Sequence, residues 1–308
     1  MHETPEIRPS ASVPSEQPGT ISRDASILSG PAGVWPVWRV LVYVSAYYVL
    51  RSLLIFIAGG IAGKADNLNP LWLELLEESL LLLAALAPAW FLAKLEMRPF
   101  GSFGLPLRRA FGRDFLSGLV WGIAAITLLL LAMHGIGAFN FGSVATHGIR
   151  AFRFAVFWGI FFLVVALYED FLFRGYSLIT LSETTGFWPA AILISALFGA
   201  VHLFNPEETL PGALGAACIG LFFCFTLRRT RALWFAVGLH AAWDWGESFL
   251  YSVPDSGTVS PGHLLNSSFR GARWLTGGSV GPEASVFVFI LIAVMWVVFD
   301  RLYPARKS

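Results

Sequence analysis

Apolar residues fall in eight long runs separated by polar connections, at about residues 34–60, 71–93, 116–135, 154–180, 187–204, 211–227, 232–250 and 285–303. Each is long enough, or nearly so, to cross a hydrocarbon layer about 30 Å thick. None alternates with the period of two that a barrel strand requires; Leu, Ala, Phe and Ile run continuously. In lipid every backbone polar group must be satisfied within the protein, which leaves helices and closed barrels. The pattern predicts an all-α fold, a polytopic bundle of about eight transmembrane helices. The fourth run exceeds what a span needs, so it is expected to tilt or to emerge from the membrane.

Composition agrees with lipid as the solvent. Of 308 residues, 56% are hydrophobic and only 13% charged, with a mean hydropathy of +0.66; soluble domains carry about 25% charged residues. A net charge of +1 supplies no field for a polyanion, so no nucleic acid partner is expected, and the lipid bilayer is the implied one. Cys218 and Cys224 lie six apart on one predicted helix, about 9 Å along its axis, too far to form a disulfide. Residues 1–33 are rich in Pro, Ser, Thr and Glu and lack an apolar run. They read as a disordered tail ahead of a transmembrane domain over 34–308, and they lack the basic and short apolar regions of a secretory signal.

Basic residues set the expected orientation. Lys94, Arg98, Arg108, Arg109 and Arg113, then Arg228, Arg229 and Arg231, then Arg301, Arg306 and Lys307 all fall on one side of eight spans. The positive-inside rule makes that side cytoplasmic, with both termini on it, outweighing Arg150, Arg153, Arg270 and Arg273 opposite. Trp35, Trp38, Trp72, Trp90, Trp188 and Trp234 sit near span ends, as an interfacial belt would. The Gly/Ser-rich stretch 251–284 reads as a mobile cap on the other side.

Charge inside a span costs roughly 2.5–3.5 kcal/mol per residue, so each instance demands a partner or a task. Arg51 faces Glu74, Glu77 and Glu78 across the first two spans, where antiparallel packing can pair them; this cluster reads as structural. A second set lies deeper: Glu169, Asp170 and Arg174 in the fourth span, His202 in the fifth, His240 and Asp244 in the seventh. Asp170 and Arg174 are four apart and share a helix face, as do His240 and Asp244. Glu169 lies about 140° from Arg174 around the helix and is free to face elsewhere. One Glu and two His on three helices are a water-activating set: the carboxylate as general base, the imidazoles as metal ligands or oxyanion donors. Packing histidines, or a proton relay in a transporter, are the competing readings.

The order of these residues resembles the CPBP family of intramembrane proteases, which includes the type II CAAX prenyl endopeptidases and the Abi/bacteriocin-processing proteins. The family's Glu-Glu-x-x-x-Arg, Phe-x-x-x-His and His-x-x-x-Asn/Asp motifs correspond to Glu169-Asp170-x-x-x-Arg174, Phe198-x-x-x-His202 and His240-x-x-x-Asp244. The resemblance covers about residues 165–246, within a family-like core at about 150–250. It implies an endopeptidase acting on membrane-associated peptides or lipidated proteins, with Glu169 activating water and His202 as metal ligand or acid/base. His240 with Asp244 would stabilise the oxyanion or orient the site, and Arg174 would lock the first motif through Asp170, with Phe198 in support. A divalent metal such as zinc, held by Glu169, His202 and His240, is the implied candidate cofactor.

Two positions depart from the family pattern. Asp170 replaces the second Glu, and Asp244 stands where Asn is more usual. An anion cannot donate to an oxyanion, so Asp244 must orient His240, bind a metal or carry a proton. These departures keep a second reading open, a non-catalytic immunity, scaffold or transporter-like membrane protein with a polar pocket. The Glu77-Glu78 pair mimics the first motif but lacks the downstream Arg, and reads as a decoy. Gly212, Ala216 and Gly220 form a small-residue stripe expected to be a helix-packing face. His134, His147 and His263 lie in or near connections and read as solvated. No His-Glu-x-x-His, Gly-x-Ser-Gly or Gly-x-Gly-Asp motif is present.

Overall fold

The computed structural model describes residues 35–62 and 69–305; the stretch 1–33, expected to be a tail, lies outside them. Each of the eight apolar runs is a helix. They are α1 (Trp35–Ala62), α2 (Pro70–Leu95), α3 (Arg113–Gly135), α4 (Gly148–Asp170), α6 (Phe187–His202), α7 (Leu210–Thr230), α8 (Trp234–Trp245) and α10 (Val286–Leu302). The fourth run continues from α4 through a π-turned segment, Phe171–Ser177, into α5 (Leu178–Thr185). That makes one 38-residue rod, about 57 Å long at 1.5 Å per residue, so part of it must tilt or emerge. By length and composition α1, α2, α3, the α4–α5 rod and α7 can each cross a membrane. The chain is an all-α membrane-protein bundle.

Local chemistry fixes the helix ends. Asn69 caps α2 by accepting from the Leu71 N–H at 3.0 Å, with Pro70 at the first helical position, where its missing N–H is not needed. Outward-facing positions are apolar: Val49, Phe56 (79% exposed) and Val120 project from the bundle. Such a surface is costly in water and ordinary in lipid. Trp38, Trp72 and Trp90 are exposed near helix ends, as a belt requires. Trp234 is not part of one: it is buried, and its indole N–H donates to Pro106 O at 3.2 Å.

The tightest helix pair is α3 with α8. A Cβ on Gly118 would lie 2.2 Å from Phe235 O, one on Gly122 2.4 Å from Leu239 O, and one on Gly238 2.3 Å from Phe115 O. These three positions let the two backbones touch, and so set the height and rotation of α8, the helix that carries His240. Gly118→Leu is expected to force α3 off α8 and destabilise the fold by about 1–3 kcal/mol, the usual range for overpacking. A lowered melting temperature in detergent would register it, and an unchanged one would show that this contact does not hold the pair.

Where α1 begins and α2 and α5 finish, an ion-pair network closes the bundle. Arg39 pairs with Glu96 at 2.9 Å and with Glu183; Arg98 pairs with Glu183 and approaches Glu96 at 3.5 Å; Tyr176 donates to Glu96. The opposite end is covered by the stretch 251–284. There β2 (Ser268–Phe269) pairs antiparallel with β1 (Phe139–Asn140), a short α9 (Arg273–Thr276) follows, and the Trp158 indole donates to Pro261 O at 3.0 Å. This stretch, expected to be a mobile cap, is hydrogen-bonded down onto α4, onto α8 and residues 247 and 249 just past its end, and onto the α3–α4 connection.

The expected pairing of Arg51 with Glu74, Glu77 or Glu78 is not made: no carboxylate lies within 4.0 Å of Arg51 among the described residues. Glu74 and Glu78 turn instead toward the interior cavity. Antiparallel neighbours share a line of contact, but which face of α2 meets α1 depends on every other helix packed on it. Cys218 and Cys224 are free thiols.

Candidate active site

Three helices deliver the ionisable groups. On α4, Glu169 and Asp170 are consecutive and point differently. Asp170 is fully buried and accepts from Arg174 Nη1 at 2.7 Å, while the Glu169 side chain is 24% exposed and lines a cavity. Both residues end the regular α-helix, and the chain at once enters the π-turned segment 171–177. Such turns hold an extra residue, widen the helix and recur at functional sites. Arg174 lies within this widened turn and is fully buried.

Arg174 is the anchor of the site. Its Nε donates to Gly220 O at 3.3 Å, and its guanidinium stacks 4.1 Å from the Phe198 ring centre and 5.1 Å from that of Phe223. Gly220, expected to serve only as a helix-packing position, has a more specific task. A Cβ there would come within 2.7 Å of Arg174 Nη2, so the missing side chain is the space the guanidinium occupies. Phe198 also supports its own motif partner: its ring lies 4.5 Å from the His202 ring, and its carbonyl accepts from His202 Nδ1 at 2.7 Å. A carbonyl can only accept, so Nδ1 carries a proton and the ring's Nε2 is left free of this bond.

His240, on α8, sits among three carboxylates. Its Nε2 lies 3.7 Å from Glu169 Oε2 and 3.5 Å from Asp244 Oδ2, and its Nδ1 lies 3.6 Å from Asp170 Oδ2. Asp170 therefore bridges Arg174 and His240, a role beyond the pairing expected from sequence. Soon after Asp244 the helix again passes into a π-turned segment, Gly246–Tyr251. The two motif-bearing rods thus share the same local device.

Glu169, His202, His240 and Asp244 all line one cavity of about 240 Å³. Its walls include Phe161, Phe162, Phe223 and Met295, and Ser256, Thr258 and Ser260 of the covering stretch also line it. It lies toward the end of the bundle where α6 finishes and α10 begins. Glu74 and Glu78 from α2 also open onto it, so the pair set aside as a decoy contributes a wall carboxylate. The sequence carried a signal for this: two glutamates one turn apart in an apolar helix, without a basic partner on their own helix. Further acids were missed. Glu283 accepts from the Trp243 indole at 3.2 Å and from Ser256 at 3.1 and 2.8 Å. Burial, reinforced by Asp244 and Glu283, holds the Asp255 carboxyl well above the usual carboxylate range.

Glu169, His202 and His240, the expected zinc ligands, share the cavity but do not close on one point. Among the described residues, the donor atoms that lie within 4.8 Å of one another belong to Asp244, Glu247 and Asp255. The donor atoms of the two histidines and Glu169 do not all lie within 4.8 Å of one another, and the chemistry derived below uses the side chains themselves. Of the remaining histidines, His134 bonds Phe139 O at 2.9 Å and His263 bonds Ser260 O at 3.1 Å; both are tied to backbone.

Residues 150–246, from α4 to α8, match the model of a family described as type II CAAX prenyl endopeptidase Rce1-like. The match covers about a third of the chain and supports a likeness to the CPBP/CAAX proteases, and all three motifs lie inside the matched span. Comparison with curated proteins and with solved structures gives no match. The family is one of peptidases that work at the membrane, in keeping with the helices that surround this cavity.

Proposed function

We propose that the protein is an intramembrane endopeptidase that hydrolyses peptide bonds of membrane-associated substrates, with Glu169 activating the water. The observation that carries this reading is the convergence of Glu169, His202, His240 and Asp244, from three helices, on one cavity within the bundle.

The side chains suggest a division of labour. A water held against Glu169 gives it a proton as its oxygen attacks the scissile carbonyl. Negative charge then develops on the carbonyl oxygen, and His240, with Nε2 on the cavity side of its ring, is placed to donate to it. Asp170 and Asp244 fix that ring by flanking its two nitrogens, and Arg174 holds Asp170 in turn. The proton taken by Glu169, passed directly or through His202, goes to the departing amine as the C–N bond breaks. Asp244 thereby acts as the orienting anion that its departure from Asn requires.

The test is proteolysis of labelled membrane-inserted peptides by the purified full-length protein, with His202→Ala beside the wild type. Cleavage by the wild type and its loss in His202→Ala, with equal membrane insertion, is the expected outcome. A wild-type protein that cleaves no membrane peptide, yet carries a solute across vesicles, would favour the transporter-like reading.

A further inference from the structure

Beside the hydrolytic groups lie two acids that the mechanism leaves unused, Glu247 and Asp255, and they stand next to one that it does use, Asp244. Asp244, Glu247 and Asp255 each bring a carboxylate oxygen to within 4.8 Å of the other two. Asp244 and Glu247 are three apart where α8 passes into its π-turned end, so they present on one side of the helix. Asp255 arrives from the covering stretch, held by reciprocal backbone bonds with Thr258 at 2.8 and 2.9 Å.

Acids in proximity are not by themselves a site, since they can simply share protons. The independent observation is the Glu247 side chain. It is fully buried, and neither of its oxygens has a hydrogen-bond partner, although buried polar atoms are nearly always satisfied. The charged groups around it are further carboxylates, Glu283, Asp255 and Asp244. No Lys or Arg pairs with any member of the trio among the described residues, and His240, 3.5 Å from Asp244, comes within 4.0 Å of neither Glu247 nor Asp255. Glu283 cannot relieve it, because both of its oxygens are engaged by Trp243 and Ser256. The deficit is one of positive charge with oxygen-seeking geometry.

We infer that Asp244, Glu247 and Asp255 bind one divalent cation. Donors that are all carboxylate oxygens select a hard ion over zinc. Oxygens on opposite sides of Ca²⁺, at 2.3–2.6 Å each, stand at most about 5 Å apart, and the trio lies within that spacing; Ca²⁺ accepts irregular all-oxygen sites where Mg²⁺ demands a near-ideal octahedron. The ion ties the covering stretch to α8 through Asp255. It also gives Asp244 a reason to be a carboxylate, because an amide at that position would supply a weaker, neutral ligand. The site stands whether or not the cavity hydrolyses peptides.

Equilibrium dialysis of the chelator-stripped, full-length protein in detergent against radiolabelled Ca²⁺ at neutral pH tests it. One Ca²⁺ per wild-type chain is expected, with a melting temperature that rises on adding the ion. Glu247→Gln and Asp255→Asn should each bind at least about tenfold more weakly, as affinity follows ligand charge. Because Gln at 247 relieves repulsion, that variant is expected to fold and to melt, without ion, no lower than the stripped wild type. Glu169→Gln should bind Ca²⁺ as the wild type does, which separates this site from the hydrolytic one. Absence of stoichiometric Ca²⁺ on the wild type, undiminished binding to the Glu247→Gln/Asp255→Asn double variant, or loss of the ion in Glu169→Gln alone would each overturn the assignment.

Discussion

Replacing Glu169 by Gln is expected to lower peptide hydrolysis by about 10²–10⁴-fold, the usual worth of a positioned general base, while the protein still inserts and folds. Gln keeps the volume and a hydrogen-bonding end, but it does not take a proton from water at neutral pH. Stability should be spared because Glu169 is the partly open member of its pair: its side chain faces the cavity, and Asp170 carries the structural ion pair. Cleavage of a labelled membrane peptide, read beside circular dichroism and the melting temperature, checks both halves of the expectation. A Glu169→Gln protein that cleaves at the wild-type rate would remove Glu169 from the chemistry and return the cavity to the non-catalytic reading.

Loss of the Arg174 guanidinium should have the largest structural effect. Arg174→Met leaves Asp170 charged, fully buried and without its cation, which typically costs about 3–5 kcal/mol. It also removes the group that fills the space over Gly220 and stacks on Phe198. The expected result is a sharply lowered melting temperature or failure to accumulate in the membrane. The double variant Asp170→Leu/Arg174→Met removes both charges together, and an apolar pair in place of a buried ion pair is often tolerated. It should recover much of the lost stability and none of the activity, because His240 then lacks the carboxylate that faces its Nδ1 at 3.6 Å. Should the double variant melt as low as Arg174→Met, the unpaired charge would not be the cause of the damage.

What could be read without the structure follows from which forces act locally. A span must be apolar for its whole length, so all eight helices were visible as runs, even the short α6 and α10. The Asp170–Arg174 pair was legible because four residues make one helical turn. The destinations of Glu74, Glu78 and Arg51 were not, since a single helix does not encode which of its faces meets which neighbour. Trp234 looked like a belt residue from its place at a span end; only the return of the 106–113 connection beneath it shows that it is buried. The π-turned segments leave no trace in an apolar pattern, because one added residue disturbs the period less than ordinary variation in composition does. Asp255 and Glu283 come from a stretch with no periodicity, so nothing in the sequence joined them to Asp244 and Glu247.

The cavity's place toward the 251–284 cover also bears on the compartment of the proposed chemistry. On the orientation proposed from the basic connections, that end of the bundle faces away from the cytoplasm. A scissile bond held at the inner leaflet by a cytoplasmic lipid anchor would then lie across the bilayer from the covered end of the cavity. On the same orientation, a bond already carried to the outer leaflet would meet Glu169 without that crossing. Selection by the proposed peptidase would then be by leaflet before it is by residue, and the cut ends would part on the side the precursor has reached.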